Sequence, residues 1–127
     1  MPLKTPCLDG RRMDRHHRVA VVLVNAPSYA RAHLAECYRH LQAQTYPPEQ
    51  FTVFIVNNGL TQEERTLSAQ LAPTARFLDD PENRGWAAGN NAAIRVALRE
   101  GFDDLVMLNM DTVVDRATQH LASGAQA

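Results

Sequence analysis

Cysteine is nearly absent, with only Cys7 and Cys37 in 127 residues. They lie far apart, outside any CxxC or Cys/His cluster, which excludes a disulfide framework and a zinc site of recognisable spacing. Both read as reduced thiols of a cytoplasmic protein. A long hydrophobic run is missing too: the longest, VAVVLV at 19–24, is far below the roughly 20 residues of a membrane helix. No apolar stretch with a small-residue cleavage site opens the chain, so neither a transmembrane segment nor an export signal is expected. Charge of one sign is not in excess. Thirteen Lys and Arg stand against fourteen Asp and Glu, a net charge of −1, and such a field favours neither nucleic acid nor an anionic membrane. Any anion site must be local. The phosphate-binding patterns G-x-G-x-x-G and G-K-[ST] are absent, as are internal repeats and low-complexity stretches.

What the chain does have is 45% hydrophobic residues, enough at this length for the core of one ordinary domain. The first 18 residues contribute little to it, since two prolines, a glycine and five Lys or Arg leave too little apolar surface to offset the entropy of ordering. We expect residues 1–17 to be a disordered basic tail and 18–127 to be the domain. His16 and His17 have no other metal-ligand candidate near them in sequence.

From Arg18 onward, apolar runs of strand length alternate with segments whose apolar residues recur at three and four. The strand candidates are 19–24, 52–56, 76–78 and 104–109, and their nearly continuous apolar character predicts strands covered on both faces. Leu34, Cys37, Tyr38, Leu41 and Thr45 mark one side of a first helix that Pro47 and Pro48 end. Thr61 and Glu64 form a capping box for a second, with Leu67 and Leu71 facing inward. Trp86, Asn90, Ala93, Ile94 and Ala97 trace a third that stops at Gly101. The order β-α-β-α-β-α-β with right-handed crossovers predicts an α/β fold: an open, mostly parallel sheet with helices on both faces.

In such sheets ligands bind beyond the carboxyl ends of the strands, where the strand order reverses. That rule selects Asn25 after the first strand, Asn57, Asn58 and Gly59 after the second, and Asn109 and Asp111 after the fourth. Asn and Gly are also favoured where a chain simply leaves a strand. In NRGWAAGNNA (83–92), Gly85 and Gly89 permit close backbone approach, and the amides at the helix start favour an anion. Asp111 stands in an apolar run, LVMLNMDTVV, where an unpartnered buried charge would be very costly. It suits Mg²⁺ or Mn²⁺, which take oxygen ligands and commonly one or two carboxylates, with phosphate oxygens and water completing the shell. Thr112 and the Asn109 amide are further oxygen donors. The alternative is an Asx turn in which Asp111 accepts backbone hydrogen bonds.

Together these pieces resemble the family 2 glycosyltransferases, inverting enzymes of the GT-A fold. The resemblance covers about residues 18–118. It is carried by VAVVLVN, by LQAQTYPPEQF, which is similar to the family's S-L-x-x-Q-x-Y-P passage, and by FIVNNGLT in place of V-V-D-N-G-S-T. NRGWAAGNNAAI and LNMDT, the latter in place of a D-x-D or N-x-D signature, are its more specific carriers. The resemblance implies the nucleotide-sugar-binding half of such a transferase, Rossmann-like, taking a UDP- or dTDP-sugar for hexosyl or deoxyhexosyl transfer. It places Asn57 where the family has the Asp that helps hold the base, with Asn58 and Gly59 completing that turn. Asn83, Arg84, Gly85, Gly89 and Asn90 match the segment lining the donor pocket, and Asn109 and Asp111 the motif that carries the metal on the diphosphate. Arg84 would add positive charge near it. The family's acceptor site and general base lie well beyond the metal motif, and Asp115 is too near it to be that base. The sequence therefore names no catalytic residue and reads as truncated, its acceptor half absent or supplied by a partner. Two other readings stand beside it. One is a non-catalytic remnant acting as a binding module. The other is a phospho-acceptor receiver domain, which would need an acidic pair after the first strand, where Asn25 and Ala26 stand, and a Lys beyond Lys4.

Overall fold

The structure is a computed structural model, and it describes residues 17–112. The expected tail thus lies outside the described residues except at His17, as does Asp115. Four strands, β1 (Val19–Asn25), β2 (Phe51–Asn58), β3 (Arg76–Asp80) and β4 (Asp104–Leu108), form one sheet in the order β3-β2-β1-β4, every neighbouring pair parallel. This is the open parallel sheet that the alternation of runs predicts. β1 lies inside the sheet and all seven of its residues are buried, which is why its apolar run shows no polar alternation.

Three helices cover the sheet: α1 (Ala35–Gln42), preceded by a π-helical turn at Ala30–Leu34, then α2 (Gln62–Leu71) and α3 (Trp86–Arg99). On one face Val21, Leu23 and Ile55 pack with Leu34, Cys37 and Leu41. On the other, Ala93 and Ala97 of α3 lie on Val22 and Phe54, the small side chains letting the helix approach closely. Phe102 closes this second layer edge to face with Phe54, ring centroids 5.6 Å apart. Each fully buried Val or Leu contributes about 1.5–3 kcal/mol, so the two layers hold the sheet from both sides. The chain steps outward from β1 to β2 to β3, then returns to place β4 against the other edge of β1. Right-handed crossovers put α1 and α2 on one face and α3 on the other. The reversal of strand order lies between β1 and β4, at whose carboxyl ends the crevice opens.

Three expectations about the helices are corrected. α1 ends at Gln42, so Thr45 lies beyond it and is exposed. Tyr46 takes the buried position instead and donates its hydroxyl to the His17 carbonyl at 2.5 Å. The cause is Pro47, which disfavours helical geometry at the residue before it. Trp86 is 51% exposed, because as the first residue of α3 it overhangs the rim. On α2, Leu71 packs half-buried against the core as expected, but Leu67 belongs to neither core layer and the fully buried residue is Ser68.

Candidate functional site

Beyond Leu108 the chain turns at once. The Thr112 N–H donates to the Asn109 carbonyl at 3.0 Å, closing a four-residue turn of the kind built by an i to i+3 bond. Within it the side chains alternate: Met110 is buried in the core layer of α1, whereas Asn109 and Asp111 are exposed. An apolar anchor between two polar residues explains the carboxylate in the apolar run, since burying Met110 holds Asp111 out at the rim. The turn is closed by backbone atoms, and the Asp111 carboxylate makes no hydrogen bond or ion pair among the described residues. Burial, with the Asp111 charge adding to it, pushes the Cys37 thiol up to about 11.

The donor set here is one carboxylate, the Asn109 amide and the Thr112 hydroxyl, all hard oxygen ligands. No group of three or more His, Cys, Asp or Glu residues able to hold a metal occurs among the described residues. Such a set fits Mg²⁺ or Mn²⁺ held jointly with an anionic ligand's oxygens and does not make an all-protein cage.

At the ends of β1, β2 and β3 a second feature forms. Asn25 and Asn57 are paired in register, as are Asn57 and Asp79. Asn57 Nδ2 donates to Asp79 Oδ1 at 2.9 Å, and Asn57 Oδ1 accepts from Asn25 Nδ2 at 3.0 Å. Asn25 Nδ2 also donates to Ser68 Oγ at 2.9 Å, and that hydroxyl donates to the Glu64 carbonyl at 2.9 Å. The carboxylate fixes the polarity of the whole relay, because it only accepts. Asn57 must turn its nitrogen toward Asp79 and its oxygen toward Asn25, and the Asn25 oxygen is left without a partner.

Side chains alternate along a strand, so Asn58 faces the α3 side. Its Nδ2 donates to the Gly85 carbonyl at 3.1 Å, and its buried Oδ1 has no partner. Gly59 and Gly85 both have positive φ, at 63° and 93°. A Cβ on Gly59 would come within 3.0 Å of the Asn83 nitrogen, and one on Gly89 within 3.0 Å of Val24 and 3.1 Å of Asn58 Nδ2. Asn83 Oδ1 accepts from the Gly85 N–H at 3.0 Å, and Asn90 Nδ2 donates to the Trp86 carbonyl at 3.0 Å. The segment 83–90 is thus docked on the end of β2. Arg84 is turned the other way, its Nε 2.9 Å from Asp80 and an Nη 3.6 Å from Glu82, so its charge already has two partners.

The expected site residues fall into three groups: Asn25 with Asn57; Asn58 and Gly59 with 83–90; and Asn109 with Asp111. Two cavities lie beside the first group. One, of about 410 Å³, runs between the loop after β1 and the start of α2 and has Asn25, Ser28, Gly59 and Glu64 in its wall. The other, of about 510 Å³, lies between α2 and β3 and has Asn57, Arg65, Phe77 and Asp79 in its wall. Neither takes a wall from Asp111 or from 83–90. Glu64 fixes the first cavity's mouth. Beyond the Thr61 capping box that sequence foretold, its second oxygen accepts from the Ser28 N–H at 3.1 Å, where the backbone has φ 73°. Sequence reasoning missed Asp79, Ser68 and Met110. Only the strand register brings Asp79 to Asn57, and an apolar Met between polar residues was the one signal available for Met110.

This architecture matches solved structures. S. aureus TarS superposes with a TM-score of 0.70 at 15% identity, over 84% of this chain and 19% of that one. Its 1–349 portion in complex with UDP-GlcNAc gives 0.71 at 15% identity, over 84% of this chain and 30% of that one. The mannosyltransferase PcManGT from Pyrobaculum calidifontis, in complex with GDP-Man and Mn²⁺, gives 0.69 at 22% identity, over 86% and 31%. The chain thus spans less than a third of each of these proteins. Among curated protein sequences none matches it significantly. The sequence profile described as glycosyl transferase family 2 matches residues 19–117, and the chain belongs to that family.

Proposed function

We propose that this chain binds a nucleotide-diphosphate sugar, a UDP- or dTDP-sugar, through Mg²⁺ or Mn²⁺ at Asp111, for inverting transfer of a hexosyl or deoxyhexosyl group to an acceptor. The observation that carries the reading is Asp111 itself. It stands at the carboxyl end of β4, beside the β1–β4 reversal, exposed and unpaired among the described residues, on a turn anchored by buried Met110. A divalent cation bound there would neutralise charge developing on the departing nucleoside diphosphate. The chain's own residues bind and orient. Asn109 and Thr112 add oxygen donors beside Asp111, Asn25 and Asn57 form a polar floor at the base end, and Asn58, Gly59, Asn83, Gly85, Gly89 and Asn90 shape the lip between. Arg84 reaches the diphosphate only by leaving Asp80 and Glu82, and exposed ion pairs of that kind are weak enough to exchange.

We assign the acceptor site and the general base to polypeptide outside this chain's matched portion, in a longer chain or a partner. No helix among the described residues is long and apolar enough to cross a membrane, and the free, buried Cys37 thiol is in keeping with a cytoplasmic setting. A binding module without turnover is the second reading, favoured by Asn57, whose amide is engaged at both ends by protein. Titrating UDP- and dTDP-sugars with and without Mn²⁺ tests the proposal. Binding that requires Mn²⁺ and disappears in Asp111→Ala supports it, and metal-independent binding, or none at millimolar donor, removes it. Sugar transfer to added acceptors by a metal-binding chain would remove the second reading.

A further inference from the structure

We propose that Asp79, on β3, is the carboxylate that reads the nucleobase, and that it selects bases presenting a ring N–H. Uracil, thymine and guanine have one; cytosine and adenine have an acceptor nitrogen at the matching edge. The inference rests on the nucleotide-binding reading above and names a residue that neither sequence pattern nor family resemblance singled out.

The argument begins with Asn57, which is poorly placed to read a ligand. It is 2% exposed, its nitrogen is given to Asp79 and its oxygen to Asn25. Asp79 is its opposite: exposed, with one oxygen held by Asn57 at 2.9 Å and no further partner among the described residues. A carboxylate has two oxygens and about four acceptor sites, so one bond to Asn57 orients the group and leaves acceptor capacity free. That capacity borders the cavity of about 510 Å³ between α2 and β3, whose wall also includes half-buried Phe77, an apolar surface for a ring, and Arg65 and Gln62 at its side. Arg65 is occupied by the Leu60 carbonyl and by Gln62, so it does not compete for Asp79.

The spacing of the rim agrees. Asp79 is the penultimate residue of β3, at one edge of the β3-β2-β1-β4 order, and Asp111 follows the strand at the other edge. Three inter-strand steps separate them, roughly 14 Å at about 4.8 Å each. An extended nucleoside diphosphate spans such a distance, with its base on Asp79, its ribose over the ends of β2 and β1, and its diphosphate on the cation. The carboxylate then accepts from a ring N–H and meets an acceptor nitrogen lone pair to lone pair, which is the repulsive half of a selectivity device.

The same geometry makes positions 57 and 79 a pair. An Asp at position 57 would set two carboxylates against each other at the 2.9 Å now spanned by an amide hydrogen bond, and two carboxylates sharing a site cannot both ionise without penalty. Asn57→Asp alone is therefore expected to weaken nucleotide binding, and the reciprocal exchange Asn57→Asp with Asp79→Asn is expected to recover it.

The experiment measures Mn²⁺-dependent binding of UDP, GDP, CDP and ADP to the full chain, to Asp79→Asn, to Asn57→Asp and to the double exchange, with far-UV circular dichroism confirming folding. A hydrogen bond to a charged acceptor implies that the unaltered chain prefers UDP and GDP over CDP and ADP by about tenfold or more. Asp79→Asn should lower UDP affinity about tenfold and erase the preference, since an amide can rotate to offer its nitrogen to cytosine. A folded Asp79→Asn variant that keeps the preference overturns the assignment of Asp79 while leaving nucleotide binding at Asp111 intact. No metal-dependent binding of any nucleotide by the unaltered chain overturns both.

Discussion

Gly89→Ala sets two opposed effects of known size against each other. Gly89 lies within α3, and its φ is not in the left-handed region. Exchanging glycine for alanine in a helix interior would on propensity alone stabilise by about 1 kcal/mol. The space does not permit it. The new Cβ would stand 3.0 Å from Val24 Cγ1 and 3.1 Å from both Val24 Cγ2 and Asn58 Nδ2. Val24 belongs to the central strand and is buried, and Asn58 is tied to the Gly85 carbonyl, so neither neighbour yields freely. Overpacking of this kind costs about 1–3 kcal/mol, and displacing Asn58 forfeits a hydrogen bond worth about 1 kcal/mol. The net expectation is destabilisation by about 2 kcal/mol, a fall in Tm of roughly 10 °C for a domain of this size. Thermal melts followed by far-UV circular dichroism read it directly. An unchanged or raised Tm would refute the close docking of α3 on the end of β2.

Met110→Ala should cost about 2–5 kcal/mol in urea unfolding and loosen Mn²⁺ binding as well, because the turn that presents Asp111 loses its anchor; unchanged stability would show that Met110 is not packed. Glu64 is held below its ordinary value by the Thr61 N–H first and the Ser28 N–H second. A lowered carboxyl gives stability that is complete above its unfolded value, near 4.5, and is lost as pH falls through the folded one. Glu64→Gln should therefore flatten part of the decline in Tm below about pH 4.5, and an identical acid limb would contradict the clasp. Cys37, with its thiol pushed up to about 11, should resist alkylation near neutral pH in a Cys7→Ser background until the chain unfolds, since the thiolate is the reactive form. Rapid labelling of the folded protein would show that the α1 layer is open.

Runs of apolar residues located all four strands, and the Thr61–Glu64 capping box located the start of α2, because both signals are local. The strand ends were less legible. β1 and β2 run on through Asn25 and Asn57–Asn58, since paired amides satisfy one another across the ladder as well as a turn would. A period of 3.6 does not distinguish the π-helical turn at Ala30–Leu34 from ordinary helix, and the effect of Pro47 on Tyr46 is what displaced Thr45. Asp79 was invisible because its significance depends on register: it matters only once β3 is laid against β2 with Asp79 opposite Asn57. Asp111, by contrast, was legible from composition, as a charge in an apolar run has few places to go.

Electron paramagnetic resonance of Mn²⁺ tests the central claim most directly, because hydrated Mn²⁺ gives a signal that weakens when the ion is sequestered. Adding the chain to Mn²⁺ and UDP-sugar should deplete that signal beyond what UDP-sugar alone removes, and Asp111→Asn should restore it with the melting curve of the fold retained. Equal depletion by the variant would place the cation on other ligands, and Asp111 would then be no metal ligand at all.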